Sequence, residues 1–230
     1  MVDSPFVLNR LDPQPQFMNS SDEDIEKRAQ ALGTAITFPT VSFNSSYTNT
    51  TALDEFHTFL RQNYAHIFNG SLPFIKVHVV NTHSLLIRVE GQIATSNPYL
   101  LCGHLDVVPV GNGQWSKQPF SGEIYKDETD GENYIFGRGA IDNKQSVIGL
   151  LETLSYIVKK LGGRPRRTFY IAFGHDEEVG GHKGAGKISE KLKQILTEEN
   201  EQLSFILDEG MFIMDNVFPG VSDPVAYVGK

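Results

Sequence analysis

Cysteine is nearly missing from the 230 residues: Cys102 stands alone, so no internal disulfide can form and cysteine usage does not report a redox compartment. Inside an apolar run, Cys102 reads as a small buried hydrophobe rather than a nucleophile. Basic residues are also short, with 20 Lys and Arg against 28 Asp and Glu and a formal charge of −8. No basic stripe offsets that balance, which excludes the usual electrostatic footprint of a nucleic-acid or anionic-membrane partner. No apolar run approaches the roughly 18 residues of a membrane span. Residues 1–16 carry Pro5, Pro13 and Pro15 and lack the apolar stretch of a signal peptide. Internal repeats and low-complexity segments are absent as well.

What is present suits one large globular domain, or one with its edges missing: 40% hydrophobic residues, 10% of the total aromatic. Asn19-Ser20-Ser21, Asn44-Ser45-Ser46, Asn49-Thr50-Thr51 and Asn69-Gly70-Ser71 fit the N-glycosylation sequon. Their clustering near the N-terminus points to a secreted or lumenal glycoprotein whose targeting segment lies outside this chain.

Ser20 with Glu23 makes a capping box for a helix in which Ile25, Ala29, Leu32 and Ile36 share a face, and Pro39 stops it. Thr51 is expected to cap a second helix with Leu53, Phe56, Leu60 and Tyr64 facing inward. Residues 74–80 and 85–90 read as strands, the first alternating as an exposed antiparallel edge. Residues 99–103 are wholly apolar and therefore central. Asp130-Gly131 marks a hairpin within the polar excursion 111–139. Helices at 145–161 and 183–196 then alternate with strands at 168–173, 203–207 and 224–228. The expected fold is α/β, a mixed and largely parallel sheet with helices on both faces.

Five acids and one histidine sit where these apolar runs end: His104 and Asp106, Asp142, Glu177 and Glu178, and Asp208. Open α/β sheets bind ligands at the carboxyl ends of their strands. So many carboxylates in one crevice would repel, each pair at 4 Å costing about 4 kcal/mol at an effective dielectric of 20. One or two metal ions answer that most simply. Each signal has a plainer reading: His104-x-Asp106 as a polar loop, Asp142 as a helix N-cap, Glu177-Glu178 as an acidic surface loop, and Asp208 as a turn residue. The chemical reading has one glutamate holding metal while the other moves a proton. Gly181 to Lys187 matches most of a phosphate-binding P-loop, but Ile188 stands where Ser or Thr should hold magnesium. Three acids also precede that loop. His175-x-Glu177 lacks the cysteine pair of a zinc deaminase. His57, His66, His78, His83 and His182 read as surface or packing residues.

Leu101-Cys102-Gly103-His104-Leu105-Asp106-Val107-Val108-Pro109, then Trp115, Pro119-Phe120-Ser121-Gly122, Gly137-Arg138-Gly139-Ala140-Ile141-Asp142-Asn143-Lys144, Gly174-His175-Asp176-Glu177-Glu178 and Asp208-Glu209-Gly210 together resemble a known pattern. It is that of the co-catalytic dizinc metallopeptidases of the aminoacylase, carboxypeptidase S and glutamate carboxypeptidase family. Residues 174–186 are most similar to the carboxypeptidase S and N-fatty-acyl-amino-acid synthase/hydrolase branches. The resemblance implies a zinc exopeptidase-like catalytic domain and hydrolysis of an amide bond beside a free carboxylate, in a peptide or an N-acyl amino acid. It further implies that His104 and Asp208 hold one zinc, Glu178 the other and Asp142 both, with Asp106 orienting His104 and Glu177 acting as general base.

Two departures stand out. Asn143 replaces a common acid, at a position that is not a ligand. The family completes its second zinc site with a downstream His beyond an inserted lid and dimerisation domain, and no His follows His182 here. The expectation is therefore an N-terminal extension (1–20) and the N-terminal part of a catalytic domain (21–230), the lid absent. Such a piece would have one adequate metal site, and any homodimer would form through the missing lid. The alternative is a non-catalytic fragment or binding protein that retains the scaffold.

Overall fold

The computed structural model describes residues 21–93, 95–160, 163–210, 213–214, 217, 219–221 and 223–226. The first helix, α1 (Asp22–Ile36), starts from Ser21, whose hydroxyl accepts the Asp24 N–H at 3.2 Å; the Ser20 of the expected capping box lies outside the described residues. A small hairpin, β1 (Ser42–Asn44) and β2 (Tyr47–Thr48), leads into α2 (Thr50–Asn63) and the single turn α3 (Ala65–Phe68). Asn49, not Thr51, caps α2, accepting the Ala52 N–H at 3.2 Å. The amide of Asn and the hydroxyl of Thr both suit that position, and Asn is the stronger cap.

The main elements follow in chain order: β3 (Ile75–Val80), β4 (Ser84–Val89), β5 (Tyr99–His104), β6 (Ile124–Lys126), β7 (Asn133–Ile135), α4 (Lys144–Lys160), β8 (Phe169–Gly174), α5 (Ala185–Glu198), β9 (Ile206–Leu207), β10 (Ile213–Met214) and β11 (Val225–Ala226). β6 and β7 form the hairpin announced by Asp130-Gly131. Among the described residues β11 pairs with β10 in a two-stranded ladder, and residues 227 and 228 of the expected strand lie outside the described residues.

Five strands make the central sheet, in the order β3-β4-β8-β5-β9. β3–β4 and β4–β8 are antiparallel, whereas β8–β5 and β5–β9 are parallel. The sheet is mixed as expected, and its parallel part is the half that matters for chemistry. β8 is buried along its whole length because strands flank it on both edges and helices cover both faces. On one face Leu85, Ile87, Val89, Ile171 and Phe173 pack with α2 and α4; on the other Leu86, Tyr170 and Ala172 meet Ile188, Leu192 and Ile195 of α5. The β3 edge alternates only partly: Ile75 is buried, but so is Val80, while Val79 is half exposed.

Lys144 opens α4 with no exposed surface, an unusual place for an amine. Its Nζ donates to the carbonyls of Ala35 (2.9 Å) and Phe38 (2.6 Å) and lies 4.7 Å from the Phe56 ring centroid. Burial pushes its pKa down to about 7. The side chain thus ties the end of α1 to the start of α4, close behind Asp142. Lys144→Ala would take the charged donor from two carbonyls that keep only their backbone partners, the Phe38 N–H on Ala35 and the Thr40 N–H on Phe38, and would open a void, so we expect a loss of about 2–4 kcal/mol in urea unfolding. An unchanged midpoint would show that the tie contributes nothing.

Candidate metal centre

Because β5 and β8 run parallel, with His104 opposite Gly174 in register, the residues that follow each strand emerge at one edge. His104 is the last residue of β5 and is 2% exposed. Its Nδ1 lies 2.9 Å from the Asp106 carbonyl oxygen and 3.4 Å from Asp106 Oδ1. A carbonyl only accepts, so Nδ1 carries the proton, and in the neutral ring Nε2 is left with its lone pair. That Nε2 faces acids: it is 2.8 Å from Asp142 Oδ1, 3.6 Å from Glu209 Oε2 and 3.8 Å from Glu177 Oε2.

Asp106, fully buried, does more than support His104. Its two oxygens accept the backbone N–H groups of Glu177 (3.1 Å) and Glu178 (3.3 Å). One carboxylate therefore fixes both the imidazole and the 3-10 turn Glu177–Val179 that presents the paired glutamates. Glu178 in turn accepts the Val108 N–H at 3.2 Å through Oε1. The turn leaves through Gly180, whose φ of 105° is open to glycine and strained for other residues.

The glycine-rich stretch after that turn has a structural use. Asp176 accepts the N–H groups of Lys183 (2.8 Å) and Gly184 (2.7 Å), and a Cβ on Gly184 would lie 2.6 Å from Asp176 Oδ1. Donors that a phosphate would need are already taken by a buried carboxylate. The P-loop reading fails on that contact.

Asp142 precedes α4 by two residues, and its carboxylate turns to His104. Next to it, buried Asn143 donates from Nδ2 to Glu209 Oε2 at 2.6 Å. His104, Asp142 and Glu209 form the group of three whose ligand atoms lie within 4.8 Å of one another, a spacing that one cation can span. Sequence reasoning named Asp208 for this corner. The β9 register pairs Leu207 with Leu101, so Asp208 follows at the level of Cys102, two residues short of His104. It lines the wall beside Cys102, whose thiol burial pushes up to about 12 with help from the Asp208 charge. Glu209 and Asn143 are the site residues that motif reading passed over. Glu209 adjoins Asp208 in the same acidic pair, and Asn143, a non-ligand as expected from its position, holds Glu209 in place.

Burial opposes charge on His104, but the Asp106 hydrogen bond and the charges of Asp106, Glu209 and Glu177 outweigh it and lift its pKa to about 10. Desolvation, with repulsion from Asp142, pushes Glu178 up to about 7, and desolvation also raises Glu177. A set of donors that holds protons so tightly is one short of positive charge. Asp142, Glu177 and Glu209 have side chains 60%, 48% and 38% exposed, so the cluster opens to solvent on one side. A cavity of about 280 Å³ runs from His104, Glu177 and Asp208 along apolar walls that include Leu192, Leu203 and Ile206.

This fold and this acid-rich strand edge define a metallohydrolase type of site. The model of peptidase family M20/M25/M40 matches residues 100–222, and the chain belongs to that family. It is 44% identical over 209 residues to the N-fatty-acyl-amino acid synthase/hydrolase of Xenopus tropicalis, covering 91% of this chain and 38% of that protein. Against a carboxypeptidase S-like protein of Dictyostelium discoideum the identity is 40% over 211 residues, 90% of this chain and 38% of that one. In the fold it resembles the crystal structure of human carnosine dipeptidase 1, with a TM-score of 0.60 at 18% identity over 84% of this chain and 40% of the other. The chain thus spans well under half the length of the curated relatives it matches.

Proposed function

We propose that the protein is a zinc-dependent hydrolase of amide bonds that lie beside a free carboxylate, in N-acyl amino acids or in peptides at their carboxyl end. The observation that carries this is His104 Nε2, aimed at the oxygens of three acids while Nδ1 is held by Asp106, so that a metal ion would take the place of the Nε2 proton. A mixed set of imidazole and carboxylate donors fits zinc. His104 and Asp142 would hold the ion, with Asp208 or its neighbour Glu209 completing the shell. Glu178 would serve a second ion together with Asp142. Zinc would supply Lewis-acid polarisation of the scissile carbonyl and bring the pKa of water towards about 7.

This chain's own residues supply the rest. Glu177, half exposed and made more basic by desolvation, takes a proton as the water oxygen bonds to the carbonyl carbon. It returns that proton to the amine nitrogen as the C–N bond breaks. Asp106 keeps His104 in the tautomer that leaves Nε2 free. The names of both relatives describe substrates with an amide next to a carboxylate, and the 280 Å³ apolar cavity beside Glu177 suits an acyl chain or an apolar side chain.

A second reading has one support: the three gathered ligands make one metal site, and Glu178 lies outside that group. On that reading the chain binds metal without turnover, and catalysis needs further residues, including a lid through which copies would dimerise. Zinc titration by calorimetry, coupled to hydrolysis of N-acyl amino acids, separates the two. We expect at least one zinc per chain, with hydrolysis in this chain or in one extended through the further length its relatives carry. Binding without hydrolysis at either length would favour the second reading, and no binding would remove both.

A further inference from the structure

The sequons are the one motif of the sequence that the metal centre does not absorb, and the structure separates them. Asn44 sits in the exposed β1–β2 hairpin, and its Oδ1 accepts the Ser46 N–H at 2.9 Å. Asn69 is likewise exposed after α3, its Oδ1 accepting the Ser71 N–H at 2.9 Å. In both, the oxygen is turned back onto the sequon's own backbone, and the residue as a whole is exposed. Asn49 is placed differently. Its Oδ1 caps α2 through the Ala52 N–H at 3.2 Å, and its Nδ2 donates to the Pro39 carbonyl at 3.1 Å. Both ends of that amide are engaged inside the fold. Asn19 lies outside the described residues.

We propose that Asn44 and Asn69 are N-glycosylation sites and that Asn49, with an equally good sequon, carries no glycan in the folded protein. The transfer joins Asn Nδ2 to the anomeric carbon of a lipid-diphosphate-linked oligosaccharide. The anomeric C–O bond to the diphosphate breaks, and the amide gives up one proton. A glycan on Asn49 would take one of the two Nδ2 protons of an amide already held to Pro39 and Ala52, and would have to be housed in that part-buried corner. At Asn44 the opposite holds, since the neighbouring Phe43 and Tyr47 rings, 50% and 60% exposed and stacked at 5.0 Å, offer the first sugar an apolar surface. Such sites place the protein in a secretory lumen, and the inference stands apart from the hydrolytic reading.

The test is expression of this chain in eukaryotic cells behind an added cleavable secretion signal, which supplies the compartment directly. Glycans are removed with the amidase that leaves Asp in place of each modified Asn, and peptides from secreted and cell-retained protein are mapped by mass spectrometry. The expected result is conversion at Asn44 and Asn69 and none at Asn49. N44Q and N69Q each then remove one glycan. N49Q leaves the glycan number unchanged and lowers Tm by about 2–4 °C through the lost cap. A glycan at Asn49, or none at either Asn44 or Asn69, overturns the assignment.

Discussion

Glu177→Gln lowers kcat/KM for an N-acyl amino acid by about 10²- to 10⁴-fold, the range a positioned general base contributes, and leaves zinc affinity within a few-fold. Glutamine keeps the shape and can still hydrogen bond, but it cannot take a proton from water. The backbone of residue 177 stays tied to Asp106 in either case, because that contact uses the N–H. The side chain of Glu177 also stands outside the group His104, Asp142 and Glu209. Steady-state kinetics with calorimetric zinc titration, in whichever length of chain turns substrate over, checks both halves. A variant of unchanged rate removes Glu177 as the base. A variant that no longer binds zinc makes it a ligand instead.

Asp106→Ala has the largest expected effect on the fold of the site. The substitution frees Nδ1 of His104 from its carboxylate neighbour and takes the acceptor from the N–H groups of Glu177 and Glu178. Breaking a buried charged network from one side costs about 3–5 kcal/mol. Loss of the partner that orients a metal-binding histidine costs a further 10- to 100-fold in metal affinity. Chemical denaturation and zinc titration should therefore both respond. If stability drops while zinc affinity holds, Asp106 supports the fold alone, and His104 is fixed by the carbonyl contact.

The residues behind these predictions differ in how readable they were. The apolar runs of β5 and β8 and the acids that follow them are visible in the sequence, because a buried parallel strand has nothing else to show on either face. Position after a strand then brings His104, Asp106, Glu177 and Glu178 to one edge. Asp142 was legible as a residue but not in its role: an Asp ahead of a helix is by default a cap, and only the orientation towards His104 reveals the other role. The choice between Asp208 and Glu209 rests on register. β9 holds two residues in the ladder, and a shift of one exchanges which acid faces a given neighbour. No residue pattern records such an offset. Nor does the sequence show that Asp176 fills the loop that looks like a phosphate cradle, or that Asn49 is spent on capping α2.

The most direct test of the account is where zinc binds. Crystals grown with zinc and measured at its absorption edge should give an anomalous peak at about 2.0–2.2 Å from His104 Nε2 and from a carboxylate oxygen of Asp142, and the peak should vanish in His104→Ala. A chain that takes up zinc only elsewhere, or whose peak survives the loss of His104, would contradict the reading of this strand edge as a metal centre.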